Sequence, residues 1–221
     1  MSDYILECEE LTKTYLMGSV HVNALNGINL QMKQGDFLAI MGRSGSGKST
    51  LLKMIGGILR PTTGRLRMDG MDVYALDDNR RCCFRRKNIG FVFQKYQLLS
   101  EFNIWENICM PLYIDHETPD TEYILALADQ MGMTDKLGTY PDQLSGGQQQ
   151  RAAILRALAG KPKILLADEP TGNLDYDTGR QVMEGLTQLS HQLNQTVIIV
   201  THDNECASYA DQIRVMVDGR L

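Results

Sequence analysis

The sequence contains no apolar run that approaches the length of a membrane span. A transmembrane helix needs about 20 consecutive apolar residues, but the longest apolar stretches here, around Lys163–Ala167 and Thr196–Val200, are far shorter. The first ten residues, MSDYILECEE, are acidic and lack the basic-then-apolar pattern of a signal peptide. We therefore expect a protein that is neither exported nor inserted into a membrane by itself.

Cysteine pairs with metal-binding or redox spacing are also missing. The five cysteines form no C-x-x-C motif, so neither a zinc site nor thioredoxin-like chemistry has support. We expect them to be the reduced thiols of a cytosolic protein. The adjacent pair Cys82-Cys83 has no role that the sequence assigns.

An excess of basic charge is absent as well. The chain has 22 Lys and Arg against 27 Asp and Glu, which gives a formal net charge of −5. Proteins that bind nucleic acids through a broad basic field have the opposite balance, so we expect no nucleic-acid partner. One local basic run lies within residues 80–87, and it predicts a solvated face or, alternatively, a contact with anionic lipid headgroups.

The composition that is present suits one folded α/β domain. The chain has 221 residues, of which 43% are hydrophobic and 22% charged. Phe37–Met41, Ile164–Ala167 and Thr196–Val200 are short apolar runs typical of parallel strands that are buried on both faces. Glycine or polar residues follow each run, and ligands bind at the carboxyl ends of such strands. The three strand ends therefore predict one shared site.

The segments between these strands show helical and antiparallel patterns. Thr50–Leu59 predicts a helix that Pro61 stops, and Thr118-Pro119 predicts the start of another, with proline in the first turn. A third helix has one apolar face made of Val182, Leu186, Leu189 and Leu193. Ile5–Tyr15 and Val22–Met32 predict strands of an antiparallel layer, whereas residues 97–160 predict an inserted helical subdomain.

A phosphate-binding loop follows the first of the apolar strands. The segment Gly42-Arg-Ser-Gly-Ser-Gly-Lys-Ser-Thr50 fits G-x-x-x-x-G-K-[ST] and lies between a strand and a helix. Glycines let backbone N–H groups surround phosphate oxygens, and the helix N-terminus adds partial positive charge. Lys48 can neutralise the β- and γ-phosphates and Ser49 can bind Mg²⁺. The predicted loop residues are Gly42, Arg43, Ser44, Gly45, Ser46, Gly47, Lys48, Ser49 and Thr50.

Two carboxylates end the second apolar strand. Asp168 is a candidate Mg²⁺ ligand, through a water molecule, and Glu169 is a candidate general base for the attacking water. A solvated acidic strand end is the alternative. Next to a phosphate loop, we favour the interpretation as a metal-binding and catalytic pair.

A second helix start has the features of an anion site. In Leu144-Ser-Gly-Gly-Gln-Gln-Gln-Arg151, Ser145 is suited to cap the helix and Gln148 completes a capping box. Gly146 and Gly147 leave the backbone N–H groups bare. One nucleotide site has no local use for two phosphate-binding helix ends, so we expect the second to serve a neighbouring chain.

With these motifs, the whole chain resembles the ABC ATPases, the nucleotide-binding subunits of ATP-binding-cassette systems. The Leu-Ser-Gly-Gly-Gln sequence resembles the signature of that family, and further elements occur in the family's order. The resemblance implies that Tyr15 stacks on adenine and that Gln94 contacts Mg²⁺ and senses a membrane partner. It also implies that Asp175 is the D-loop aspartate and that His202 holds the γ-phosphate.

The resemblance also implies an architecture, cofactors and partners. It implies a P-loop NTPase core with a mostly parallel sheet and an antiparallel layer, formed by residues 1–96 and 161–221, with the helical subdomain at about 97–160. ATP and Mg²⁺ are the expected ligands. A second copy in a head-to-tail dimer and a separate transmembrane permease are the expected partners, at the cytoplasmic face of the plasma membrane.

The residues in and around these motifs indicate which branch of the family the chain resembles. They look like those of the lipoprotein-release and macrolide-export branch, which also includes antimicrobial-peptide exporters. The alternative is a mechanical regulator of the cell-division type, which has the same catalytic motifs and moves no substrate. Soluble family members of translation and DNA repair are disfavoured, because tandem cassettes or long coiled coils do not fit in 221 residues. The aromatic residues Tyr96, Phe102 and Trp105 predict either core or part of a groove for the permease.

Overall fold

The computed structural model describes residues 3–18 and 20–221. Met1 and Ser2, which belong to the acidic N-terminal segment, and Ser19 lie outside the described residues. The fold has two β-sheets with helices around them. The predicted α/β class, with a parallel sheet and an N-terminal antiparallel layer, is confirmed.

The antiparallel sheet has the order β2-β1-β4-β5. Its two long strands correspond to the predicted ones and extend closer to the turn between them. The structure adds two strands from the segment after the first helix. The strands are β1 (Leu6–Met17), β2 (Val20–Met32), β4 (Thr63–Met68) and β5 (Met71–Asp72).

The parallel sheet has the order β6-β7-β8-β3-β9. The three predicted strands occupy its centre, where each has neighbours on both sides. This order places the carboxyl ends of β3, β7 and β8 side by side, as the sequence predicted. The strands are β3 (Phe37–Met41), β6 (Ile89–Val92), β7 (Ile164–Asp168), β8 (Thr196–Thr201) and β9 (Gln212–Val215).

Seven α-helices and two short 3-10 helices lie in the described residues. The 3-10 segments are Thr134–Lys136 and Pro141–Gln143. The α-helices are α1 (Lys48–Ile55), α2 (Asp78–Asn88), α3 (Ile104–Ile114), α4 (Thr121–Gln130), α5 (Gly146–Leu158), α6 (Tyr176–Leu193) and α7 (Asn204–Ser208). The division of the chain into a core and a helical subdomain at about 97–160 stays a prediction.

Two helix predictions were wrong in detail. Helix α1 begins at Lys48 and ends at Ile55, before two glycines, whereas the predicted segment was Thr50–Leu59. Helix α4 begins at Thr121 because the Asp120 carboxylate accepts a hydrogen bond from the Tyr123 N–H, so Pro119 lies outside it. On the predicted apolar face of α6, Val182, Leu186 and Leu189 are buried, whereas Leu193 at the helix end is 36% exposed.

The hydrophobic core forms two clusters, one on each face of the parallel sheet. One cluster joins the sheet to α3–α6, and the other joins it to α1 and the antiparallel sheet. Alternate residues of β8, such as Val197 and Ile198, belong to different clusters because successive side chains of a strand point to opposite faces. Packing on both faces of the sheet therefore fixes the positions of the carboxyl ends of β3, β7 and β8, where the polar residues meet. No helix among the described residues is both long and apolar enough to span a membrane.

Candidate functional site

The loop between β3 and α1 has the backbone shape of a phosphate cradle. Gly47, the residue before α1, has φ 107°, a conformation that L side chains rarely adopt. A Cβ there would also lie 2.4 Å from the Ala24 carbonyl oxygen. Only glycine fits this position, so the N-terminus of α1 stays open with its N–H groups available.

The Lys48 side chain is held inside this loop. Its Nζ donates hydrogen bonds to the carbonyl oxygens of Gly42 (2.6 Å) and Arg43 (3.1 Å). Only 7% of Lys48 is exposed. The ammonium group is therefore fixed where a phosphate bound by the loop needs positive charge.

The ends of β7 and α1 meet at a pair of oxygen ligands. The Ser49 hydroxyl donates a 2.9 Å hydrogen bond to Asp168 Oδ1. Burial is the main cause that raises the pKa of Asp168 above its usual range, and the hydrogen bond from Ser49 opposes it. A hydroxyl and a carboxylate are oxygen donors of the kind that Mg²⁺ prefers, so the residues present fit this ion.

The Glu169 carboxylate is held by the end of β8. Thr201 Oγ1 donates to Glu169 Oε2 at 3.1 Å, and Glu169 Oε1 lies 2.9 Å from His202 Nδ1. The Glu169 backbone has φ 48°, an unusual value for a non-glycine residue. Such backbone values are typical of functional positions.

These groups surround one open cavity of about 670 Å³. The cavity brings together most of the residues that the sequence predicted for nucleotide and metal binding. Ala24 of β2 also lines it, and no local sequence signal could have indicated that residue. The lining residues are Ala24, Arg43, Ser44, Gly45, Gly47, Lys48, Ser49, Thr50, Gln94, Asp168, Glu169 and His202.

Several predicted site residues lie outside the lining of this cavity. Gly42 and Ser46 line an adjacent cavity, on the β9 side of the loop. Tyr15 is on β1, 37% exposed, with Lys13 Nζ 5.3 Å from its ring centre. The predicted signature residues at 145–148 and Asp175 at the start of α6 are elsewhere on the chain.

The signature segment has the predicted capping geometry. Ser145 Oγ accepts a hydrogen bond from the Gln148 N–H, and Gln148 Oε1 accepts one from the Ser145 N–H. A Cβ on Gly147 would lie 2.2 Å from the Thr178 side chain. The Thr178 N–H in turn donates to the Asp175 carboxylate. The start of α5 is therefore packed against the start of α6, which Asp175 caps.

Substitution of Asp168 by asparagine tests the electrostatics of the metal-binding pair. Since the folded-state pKa of Asp168 is raised, its contribution to stability falls as pH rises through the window between the unfolded and folded pKa values. At neutral pH its ionised form is destabilising, so we expect Asp168→Asn to raise the unfolding temperature of the nucleotide-free protein. The extra stabilisation by Mg²⁺ and ATP should shrink in the same variant.

Thermal unfolding with and without Mg²⁺ and ATP measures both effects. The exposed Asp142 gives a matched control, Asp142→Asn, which should change neither value. An unchanged or lower unfolding temperature for the nucleotide-free Asp168→Asn protein would contradict the assigned electrostatics. Undiminished stabilisation by Mg²⁺ and ATP would contradict the metal role.

A phosphate loop at the carboxyl edge of a parallel sheet, with a buried lysine and a carboxylate pair, defines a P-loop nucleotide-binding protein. A family model described as ABC transporter matches residues 25–172, and the chain belongs to this family. It is an ABC ATPase, as the sequence motifs predicted.

Two relatives of this chain are named as ATP-binding proteins of release or export systems. It is 45% identical over 98% of its length to lipoprotein-releasing system ATP-binding protein LolD of Geobacter metallireducens, covering 97% of that protein. It is 44% identical over 97% of its length to macrolide export ATP-binding/permease protein MacB of Syntrophobacter fumaroxidans, but covers 31% of that protein. These relatives favour the transporter interpretation over the cell-division regulator.

A solved structure matches nearly the whole fold. It is the dimeric, post-hydrolysis state of an ATP-binding cassette bound to ADP and Pi, with a TM-score of 0.88 and 40% sequence identity. The match covers 98% of this chain and 96% of that one. The predicted P-loop NTPase fold is thereby confirmed.

Proposed function

We propose that this chain drives export of lipoproteins, or of lipophilic or peptide-like substrates such as macrolides, by hydrolysing ATP for a separate membrane permease. The names of its relatives support this substrate class. One structural observation carries the mechanism. The cavity contains Lys48, Glu169 and His202, while the second anion-binding helix start at Ser145 lies outside it.

In this proposal, each polar group of the cavity has one task. Lys48 and the loop N–H groups bind the β- and γ-phosphates. Tyr15, which lies outside the lining of the cavity, stacks on adenine. Ser49, Asp168 and Gln94 hold Mg²⁺, which neutralises phosphate charge when bound. Glu169 accepts a proton from the attacking water, and His202 holds the γ-phosphate. The contact between Glu169 and His202 fixes both side chains in the same corner of the cavity.

The signature segment acts on the nucleotide of a second copy. Ser145 is exposed and Gly146 leaves the start of α5 without a bulky side chain. This helix start, together with Gly147 and Gln148, then closes on the nucleotide held by the partner's phosphate loop, in a head-to-tail dimer. ATP stabilises this dimer because its γ-phosphate touches both chains, and hydrolysis removes that bridge. Asp175 lies beside the same surface, at the start of α6.

A groove near Gln94 is the site for the permease. Its walls include Phe91 and Phe93, whose rings stack with their centres 4.3 Å apart, and it has a volume of about 350 Å³. Arg156 of α5 donates hydrogen bonds to the carbonyl oxygens of Tyr96 (2.9 Å) and Gln97 (2.5 Å). A helix of the permease that fills the groove would therefore press on the segment after Gln94 and on α5 together.

In this proposal the chain is a peripheral subunit at the cytoplasmic face of the plasma membrane. ATP is supplied from that side. Contact with the membrane is made through the permease.

Substitution of Ile114 by glutamate tests the groove. Ile114 lines the groove and is 57% exposed, so a charge there leaves the core intact but opposes an apolar partner. We expect tagged Ile114→Glu protein to recover at least about tenfold less permease from native membranes than the unsubstituted protein. Mass spectrometry of the captured membrane proteins measures the difference.

Leu125→Glu is the matched control, because Leu125 is 40% exposed on α4 and lies outside the groove lining. Both variants should keep the ATPase rate of the isolated protein within about twofold. Equal recovery of a permease by Ile114→Glu and unsubstituted protein would place the partner elsewhere. Recovery of a cell-wall hydrolase system would replace export by mechanical regulation.

A further inference from the structure

Two of the five cysteines are accessible and adjacent on α2. Cys83 is exposed and Cys82 half-buried, whereas Cys8, Cys109 and Cys206 are buried. Burial raises the pKa of Cys8 to about 12 and that of Cys206 to about 11, which makes these thiols inert. Any thiol chemistry of the folded chain is therefore confined to Cys82 and Cys83.

Each sulfur of the pair has an arginine one turn further along the helix. Arg85 Nη2 donates to Cys82 Sγ and Arg86 Nη2 donates to Cys83 Sγ, both at 3.5 Å. Reactive cysteines occur at partly exposed positions next to positive side chains. The spacing of three residues places each guanidinium on the same helix face as its sulfur.

Helix geometry prevents the two sulfurs from bonding to each other. Neighbouring residues of an α-helix do not face each other, and a disulfide needs Cβ atoms about 4 Å apart with converging directions. A disulfide between Cys82 and Cys83 would require α2 to unwind. The partner for either thiol must therefore come from outside the chain.

We propose that Cys83 is a modification site for small anionic disulfides, of which glutathione disulfide is the representative. The Cys83 thiol loses its proton to solvent, and its sulfur attacks one sulfur of the reagent. A Cys83–reagent disulfide forms, the reagent's own S–S bond breaks, and one reagent thiolate leaves. Cys83 is oxidised and the expelled sulfur is reduced, so no further oxidant is needed.

Arg86 links this site to the groove. Its guanidinium forms a 2.8 Å ion pair with Asp115 at the end of α3, and Asp115 is only 14% exposed. Arg86 also lines the groove next to Ile114. An adduct on Cys83 brings carboxylates to Arg86, where they compete with Asp115 for its charge. The modification thus loosens the contact between α2 and α3 at the rim of the groove. An effect of the modification on permease binding rests on the proposed function, but the disulfide exchange at Cys83 does not.

Labelling kinetics of the intact chain test the proposal. The probes are dithiobis(nitrobenzoate), which is anionic, and dithiodipyridine, which is uncharged, and mass spectrometry maps each adduct. We expect Cys83 to react first, and Cys83→Ser to remove the fast phase. Arg86→Met should slow the anionic probe by about fivefold and the neutral probe by less than about twofold. Glutathione disulfide should add one glutathionyl group at Cys83.

Arg180→Met is the matched control, because Arg180 is a half-exposed arginine on a different helix, α6, where it pairs with Glu184. It should change neither rate by more than about twofold. Local unfolding of the Arg86→Met variant would expose Cys83 further and speed its reaction, so slower labelling has only the electrostatic cause. A fast phase at another cysteine, or equal slowing by both arginine substitutions, would overturn the proposal.

Discussion

Replacement of Glu169 by glutamine is expected to lower the ATPase rate by at least about 100-fold, the scale of a lost general base. Glutamine keeps the shape of the side chain; its carbonyl oxygen can accept the hydrogen bond from Thr201 and its NH2 group can donate to His202 Nδ1, but it cannot take a proton from water. The phosphate loop is unchanged, so ATP still binds. We therefore expect the variant to accumulate as an ATP-bound dimer.

Phosphate release and size-exclusion chromatography with Mg²⁺ and ATP measure the two results. Glu122→Gln, an exposed glutamate in the first turn of α4, is the control and should retain the normal rate. A Glu169→Gln protein that stays monomeric with ATP and still hydrolyses it would refute both the base and the role of ATP in dimerisation.

Replacement of Lys48 by alanine is expected to weaken ATP binding by about 100-fold, or about 2.7 kcal/mol. The Lys48 ammonium is fixed by two carbonyl oxygens of the loop, so it contributes charge at a defined position rather than a flexible surface charge. Its loss removes the only lysine that lines the cavity within the described residues. Hydrolysis should fall with binding, because the loop no longer neutralises the phosphates.

Isothermal titration with ATP and Mg²⁺ measures the affinity. Lys33→Ala removes an exposed lysine and is expected to leave the affinity within about twofold. Lys48→Arg keeps the charge but changes its geometry, so its affinity should lie between those of the alanine variant and the unsubstituted protein. An alanine variant with full affinity would mean that the nucleotide does not bind at this loop.

Local sequence patterns predicted the centre of the fold and part of the site. The strand–loop–helix at Phe37–Ile55 carries its own signals, since an apolar run, a glycine loop and a helix occur in order. Helix α2 was not predicted because DNRRCCFRRKN has no apolar face and buries no side chain. The basic run of this helix was predicted to be a solvated face, but two of its arginines form ion pairs. Arg81 pairs with Asp78 and Arg86 pairs with Asp115.

Contacts between distant segments could not be predicted in this way. Glu169 and His202 are 33 residues apart and touch only because β7 and β8 are neighbours in the sheet. Ala24 enters the cavity from the other sheet, where only tertiary packing places it. The candidate roles of Gln94, Tyr15 and Asp175 depended on the family resemblance, since none of these residues has a local chemical pattern of its own.

The central claim is that each ATP site is built from the phosphate loop of one chain and the signature segment of another. Mixing two inactive variants tests it most directly, namely Lys48→Ala and Ser145→Arg. In a head-to-tail heterodimer both lesions fall in the same site, and the other site combines an intact loop with an intact signature segment. We therefore predict that the mixture hydrolyses ATP at least about tenfold faster than either variant alone, in proportion to the heterodimer captured through a tag on one chain. A captured ATP-bound heterodimer with no more activity than its parents, or no heterodimer at all, would contradict the account.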